Sequence, residues 1–461
     1  MTKNADITPR QDPPCKYFSE RGESAIVTTP IVVGSHYDII VIGAGIVGLS
    51  AALALSERDV RVHVLEARHI GWGASGRAWG QVAAAAKHTP KEIDATFSPE
   101  RAWRINETMA RIPEIVSETV RRHDIQCEML ESGNLIAAHR PGKEHGLCRL
   151  ADDLARRGYP VTLLEDTACT TVTGSPRYRV ALQDRRGIAL NPLAYTRGLA
   201  RAVLNAGASI SENTTVTQLE RSAQSWIVQT AQGAIRAESV IIATNAFTSD
   251  RMYPGIGSEI FPVRAYQAIS RPLDPQILAG ILPERQTLND TRRLFSGIRL
   301  WPDGRLHVGV DGPERCGDGR AFLTGATRRL RITYPQLGPI TWQEAWGGWV
   351  DMTADKYPVL HDLAPGLWSA AGLSGRGIGV GTVLGRDLAL CALGQAPDAV
   401  HPITAVTPRW YHFAHSSIVR LATAAYRIED AIADFRFHAM GQEFVLNPPL
   451  GRVQSTSITK G

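Results

Sequence analysis

The stretch VIGAGIVGLS, Val41 to Ser50, sets Gly43, Gly45 and Gly48 directly behind an apolar run. Tyr37 to Ile42 reads as a buried strand, and Ile46 to Leu55 as a helix with small residues where it must approach that strand. VRVHVLEA, Val60 to Ala67, adds a second β-rich strand, whose Glu66 lies eighteen residues past Gly48. Gly43 permits the tight turn, Gly45 lets backbone amides reach a pyrophosphate, and Gly48 lets helix and strand close up. Glu66 is then placed to hold ribose hydroxyls. Three glycines alone are a weak signal, but strand, turn, helix, second strand and acid together read as a dinucleotide-binding βαβ unit. An acid at 66 repels a 2′-phosphate, which argues against NADP and leaves FAD and NAD.

Outward from this unit, 461 residues exceed one ordinary hydrophobic core, so at least two subdomains are expected. With 44% hydrophobic and 21% charged residues the composition is that of a globular enzyme, and no run of about 18 apolar residues offers a membrane span. The polar start, MTKNADITPRQDPPCKYFSERGES, lacks the apolar core of a secretory signal, so the cytoplasm is the expected compartment. The cysteines at 15, 127, 148, 169, 316 and 391 show no C-x-x-C spacing, which fits reduced packing thiols better than a zinc site. A net charge of +5 without a basic block makes nucleic acid a poor partner.

GWGASGRAWGQ, Gly71 to Gln81, is a glycine-rich loop able to meet a phosphate or a ring, or to serve only as a long turn. Ser98 and Pro99 predict an N-cap and first turn for a helix to about Arg122. IQCEMLESGNLIAAH, from Ile125, predicts strand, turn, strand, and Leu190 to Gly207 predicts a helix. The segments from Ala208 to Glu220 and from Ser225 to Thr248 predict antiparallel strands and then a buried one, which ends at Ala243 with Thr244 and Asn245 at its ligand-facing carboxyl end. Phe261 to Trp349 reads as a substrate-covering sheet with a hairpin at Pro302, Asp303 and Gly304. Gly366 to Gly394 then returns as strand, glycine loop and helix. Ile418, Leu421, Ala425, Ile428, Ile432 and Phe435 recur at helical spacing, which predicts a core-packed helix in preference to membrane attachment. His412 and His415 lack metal-ligand neighbours, and no metal is expected.

The glycine motif, GWGASGR, ATNAFT, WGGWVDMTADKYPVL and GLSGRGIGVGTVLG occur in one order that resembles the FAD-dependent amine and amino-acid oxidases of the D-amino-acid oxidase (DAO) superfamily, in particular its γ-glutamylputrescine oxidase-like branch. The resemblance runs from the leader KYFSERGE to the C-terminal helices. It implies an α/β (α+β) architecture, with a Rossmann-like FAD-binding domain and a discontinuous antiparallel-sheet substrate domain of the glutathione-reductase-2-like kind. The expected division is an N-terminal extension (1–36), an FAD-binding domain (37–97, 187–258 and 355–400), a substrate domain (98–186 and 259–354) and a C-terminal helical segment (401–461).

The resemblance further implies that Gly43, Ala44, Gly45 and Gly48 cradle the pyrophosphate, that Glu66 and Ala67 meet the ribose, and that Val216 meets adenine through its backbone. Ser75, Gly76 and Arg77 match the loop against the flavin, Thr244 and Asn245 lie near the cofactor, and Gly375, Arg376, Gly377 and Ile378 match the loop at the pyrimidine edge. Two departures matter. Ala78 and Trp79 stand where relatives have Asn-Gly, which makes the wall beside the flavin bulkier. Relatives that oxidise free amino acids clamp the carboxylate with an arginine in G-x-R-P, and Val350 and Asp351 stand here, which favours amines over simple α-amino acids. No cysteine or histidine lies where relatives tether the flavin, so FAD is expected to be noncovalent.

The expected reaction is hydride transfer from an amine carbon to flavin N5, imine hydrolysis and reoxidation by O2 to H2O2. Arg299, Trp346 and Asp351 are the candidate catalytic residues. Arg299 is a cation near flavin or substrate. Asp351 attracts an ammonium group, and Trp346, with Trp301, Trp342 and Trp349, offers an aromatic face for it. The alternatives are an FAD dehydrogenase passing electrons to a quinone or carrier, marked by a membrane-binding C-terminal helix, and a flavin-binding protein without turnover.

Overall fold

The computed structural model describes residues 15–292, 294, 296–312, 320–415, 417–429 and 432. Phe435, Cys316 and the polar start before residue 15 lie outside them. After a single helical turn at Lys16–Ser19, the main elements are strand β1 (His36–Ile42), helix α1 (Ile46–Ser56) and β2 (Val62–Leu65), then α2 (Pro99–Arg122), β3 (Asn134–Ala137), β4 (Val161–Glu165) and β5 (Val180–Asp184). It continues through α3 (Pro192–Asn205), β6 (Ser209–Ser211), β7 (Val216–Arg221), β8 (Trp226–Thr230) and β9 (Gly233–Ile242). Next come β10 (Val263–Pro272), β11 (Thr287–Asp290), β12 (Ser296–Leu300), β13 (Arg305–Gly312), β14 (Trp342–Val350), β15 (Val359–Ala364), β16 (Leu367–Ala371) and α4 (Gly379–Ala392).

Two eight-stranded sheets carry the molecule. The first runs β15-β16-β9-β1-β2-β6, with β8 and β7 added beside β9. Its centre is parallel, with Ile40 facing His63 on β2 and Val240 on β9. Strands covered on both faces need continuous apolar runs, which is why Ile39 to Ile42 are all buried. All of α1 except Ala54 is buried as well, between this sheet and α4. A Cβ at Gly385 would meet the Val47 carbonyl oxygen at 2.4 Å, so glycine is what lets the two helices touch.

The second sheet runs β14-β10-β13-β12-β11-β3-β5-β4 and is antiparallel except where β3 joins β11 in parallel. The β12–β13 hairpin turns at Gly304, whose φ of +83° needs glycine. As expected, Ser98 caps α2 by accepting from the Arg101 amide.

Two expectations are corrected. Ile125 to Glu131 forms no strand and only a single bridge, Leu130 to Ala189, because the residues before β3 cross between the sheets. The helix α2 buries Ile105, Met109, Ile112 and Val116 in the same core as α1 and α4. The C-terminal stripe faces solvent: Ile418, Leu421, Ile428 and Ile432 are 46 to 72% exposed, and the helix at 417–429 instead turns Thr423 inward. Apolar residues at helical spacing mark a face but not which way it points. Cys15, Cys127, Cys148, Cys169 and Cys391 are free thiols. No helix among the described residues is long and apolar enough to cross a membrane.

Candidate active site

A cavity of about 840 Å³ lies between the two sheets and draws its lining from both. At one end stands the glycine turn. Gly43 has φ +110° and its virtual Cβ would strike the Ala243 carbonyl at 2.9 Å, while a Cβ on Gly48 would sit 2.0 Å from the Gly43 carbonyl. Gly43, Ala44 and Gly45 line the cavity, whereas Gly48 is packed beneath the turn and Gly76 beneath its own loop. Gly45 caps α1 without a side chain of its own, so apart from Ile46 the first-turn amides have no side-chain cap. Ser75 accepts from the Ile46 amide at 3.0 Å, which ties the 71–81 loop to this cradle.

Glu66 lines the cavity beside this turn. Its carboxylate accepts from the Ala44 amide at 2.9 Å and the Arg68 amide at 2.8 Å, and burial pushes its carboxyl above the ordinary value against the pull of those amides. Ala67 and Val216 line the same end, and Thr244 and Asn245 follow β9 into the cavity. A cradle of bare amides at a helix N-terminus, beside a held carboxylate, fits the diphosphate and ribose of FAD.

Toward the other end, Ser75, Arg77, Asp351, Gly375, Arg376, Gly377 and Ile378 line the wall. Arg77 is fixed by donating to the Trp72 carbonyl at 2.8 Å and stacks over the Trp72 ring. Gly375 takes φ +84° and leads through Arg376 into α4, whose N-terminus points at the cavity. Asp351 Oδ2 accepts from the Gly372 and Leu373 amides at 3.0 and 3.2 Å, so it holds the start of this loop. Burial pushes its carboxyl up to about 6, against the opposing pull of those amides.

The structure does not bring Arg299 or Trp346 to the cavity surface. Arg299 is 1% exposed, donates to the Trp79 and Leu190 carbonyls at 3.1 Å each, and lies 3.9 Å from the Trp301 ring centroid. Desolvation pushes its guanidinium down to about 9. Trp346 donates to the Arg77 carbonyl at 3.1 Å and packs with Cys15, Tyr17, Phe18, Leu193, Ile269 and Trp301 in a separate small core. Of the four tryptophans expected around the substrate, Trp349 alone lines the cavity, joined there by Trp79. Trp342 points the other way and donates to Thr327 Oγ1 at 2.9 Å.

An amide cluster escaped the sequence reading. Gln81 donates to Thr287 Oγ1 at 2.8 Å and Asn289 Oδ1 at 2.6 Å, and Asn134 bonds the same threonine. Gln81, Asn134, Asn289 and Gln267 all line the cavity. The available signal was a polar residue at an inward position of an otherwise buried strand, as in FPVRAYQAIS. Among the described residues no group of His, Cys, Asp and Glu could hold a metal, and His412 and His415 stack on each other at 4.9 Å.

Residues 38–390 match the family described as FAD dependent oxidoreductase, DAO. The γ-glutamylputrescine oxidoreductase of Escherichia coli is 29% identical over 360 residues, covering 78% of this chain and 84% of the relative. A probable oxidoreductase OrdL of Haemophilus influenzae is 28% identical over 383 residues, covering 82% and 88%. Among solved structures, glycine oxidase from Geobacillus kaustophilus superposes with a TM-score of 0.68 at 22% identity, covering 81% of this chain and 99% of that one. It shares the fold described above.

Proposed function

This chain belongs to the DAO family of FAD-dependent oxidoreductases, which act on amines and amino acids, and from that premise we propose that it is an oxidase of a primary or secondary amine such as a polyamine derivative. The observation that carries the choice of an amine is the wall at Val350 and Asp351, where a carboxylate lines the cavity in place of a cation. FAD, held noncovalently, would supply the two-electron acceptor, with O2 as the final oxidant and H2O2 as its product. The chain's own work is positional. The Gly43 to Gly45 turn and the α1 amides hold the diphosphate, Glu66 holds the ribose, and Ser75 fixes the loop against the ring. Trp79 and Trp349 exclude water, and a dry wall favours the uncharged amine whose lone pair drives the oxidation. The carboxylate form of Asp351, which the Gly372 and Leu373 amides stabilise against burial, draws the ammonium form inward from solvent. The imine product is hydrolysed by water to an aldehyde or ketone.

Anaerobic addition of polyamines, γ-glutamylated amines, secondary amines and amino acids to the yellow protein tests this reading. Bleaching by an amine and recovery with O2 are expected, and bleaching by α-amino acids alone would overturn the choice of substrate. Acid precipitation should release all the flavin into solution.

A second reading, a dehydrogenase feeding a membrane quinone, is favoured by the exposed Ile418, Leu421, Ile428 and Ile432. It predicts that reduced enzyme reacts sluggishly with O2 and rapidly with a soluble quinone.

A further inference from the structure

His307 on β13 is enclosed by Phe18, Trp79, Trp301 and Trp346, with ring centroids at 5.9, 6.4, 6.2 and 5.2 Å. Trp301 Nε1, which can only donate, reaches His307 Nδ1 at 3.4 Å, so Nδ1 bears the lone pair. Burial and the Arg299 cation hold the imidazole well below its ordinary pKa, and the ring keeps one proton. That proton is on Nε2, which donates to Gln267 Oε1 at 3.1 Å. The amide oxygen of Gln267 is thereby committed, and its NH2 group is turned to the other side.

Gln267 is 5% exposed and lines the cavity. Its cross-strand partners are Gly309, which has no side chain, and Trp346, whose N–H is spent on the Arg77 carbonyl. Ala265 and Ile269 flank it on the same face of β10. Among the described residues His307 is the one hydrogen-bond partner of the amide. Gln267 Nε2 is not sealed inside the protein without a partner, so its N–H donors reach the cavity, where an entering group can accept from them.

We propose that Gln267 is a specificity-determining residue that donates to an sp² oxygen of the substrate, an amide carbonyl or a carboxylate, and that His307 is its positioning residue. This rests on the reading of the cavity as an amine site and narrows it: the amine substrate carries such an oxygen. A second ammonium group finds no acceptor at this point, so a bare diamine is the poorer ligand.

The test uses the FAD-loaded protein and two probes that cannot be oxidised, acetate and N-methylacetamide, titrated by calorimetry and by the flavin difference spectrum. Wild-type protein is expected to bind one or both. Acetate alone names a carboxylate-bearing substrate, and N-methylacetamide alone an amide-bearing one. Gln267→Leu should weaken that binding tenfold or more, and Gln267→Glu should abolish acetate binding, with flavin content and Tm as in wild type. His307→Phe frees the amide to rotate and should weaken binding of whichever probe the wild-type protein holds, and unchanged binding would remove His307 from the proposal. Wild-type protein that binds neither probe, or Gln267→Leu that binds as wild type does, overturns it. None of these measurements needs turnover, so a protein that no amine bleaches would sink the amine reading and leave this one standing.

Discussion

Half-buried Glu66 and buried Asp351 are both carboxylates that accept two backbone amides, yet they differ in what surrounds them. Glu66 faces the cradle, so Glu66→Arg should leave the fold in place and cut retained flavin at least tenfold, read from the visible-to-ultraviolet absorbance ratio; undiminished flavin would remove the ribose role. Asp351 titrates near 6 in the fold against an ordinary 3.8. A raised acid pKa means that its contribution to stability is full below about pH 4 and is lost as pH rises through about 6, on the order of 3 kcal/mol in all. Asp351→Asn should flatten that slope in a denaturation series from pH 4 to 7, and should also raise the amine KM if the charge steers substrate. Glu66, Ser75 and the 375–378 loop were legible because their positions follow from backbone spacing behind glycines. Arg299 and Trp346 were not. They sit on strands whose inner face is covered by the leader, and nothing local in β12 or β14 records that Phe18 packs there.

Elements with a mechanical start and stop were readable: the βαβ unit, the Ser98-capped helix, the Pro302 to Gly304 hairpin and the late glycine loop into α4. Elements defined by distant partners were not, as with the parallel joint of β3 and β11 and the missing strand before Glu131. The C-terminal helix gives the sharpest contrast. Leu421 is 72% exposed and Leu384 on α4 is fully buried, although both sit in apolar helical stripes. Leu421→Ala should cost under about 0.5 kcal/mol, whereas Leu384→Ala should cost about 2 to 5 kcal/mol, measured by chemical denaturation. Equal costs would mean that the stripe is covered in solution.

At the scale of the molecule, the leader behaves as part of the core rather than an extension. Cys15, Tyr17 and Phe18 are buried, the backbone amides of Lys16 and Tyr17 donate to the Glu344 carboxylate at 2.7 and 3.2 Å, and Glu23 pairs with Arg201 at 2.7 Å. Phe18→Ala should therefore cost about 3 to 5 kcal/mol, a core-sized loss, in a thermal or urea melt. The same feature constrains how the protein is made. The seat of Phe18 includes Ile269, Trp301 and Trp346, so a growing chain must add more than three hundred residues before that side chain has its whole seat. At ordinary elongation speeds of about 5 to 20 residues per second, that leaves the leader waiting for some tens of seconds. A ribosome-held chain stopped short of Trp346 should leave its leader open to protease, and one released at full length should close it.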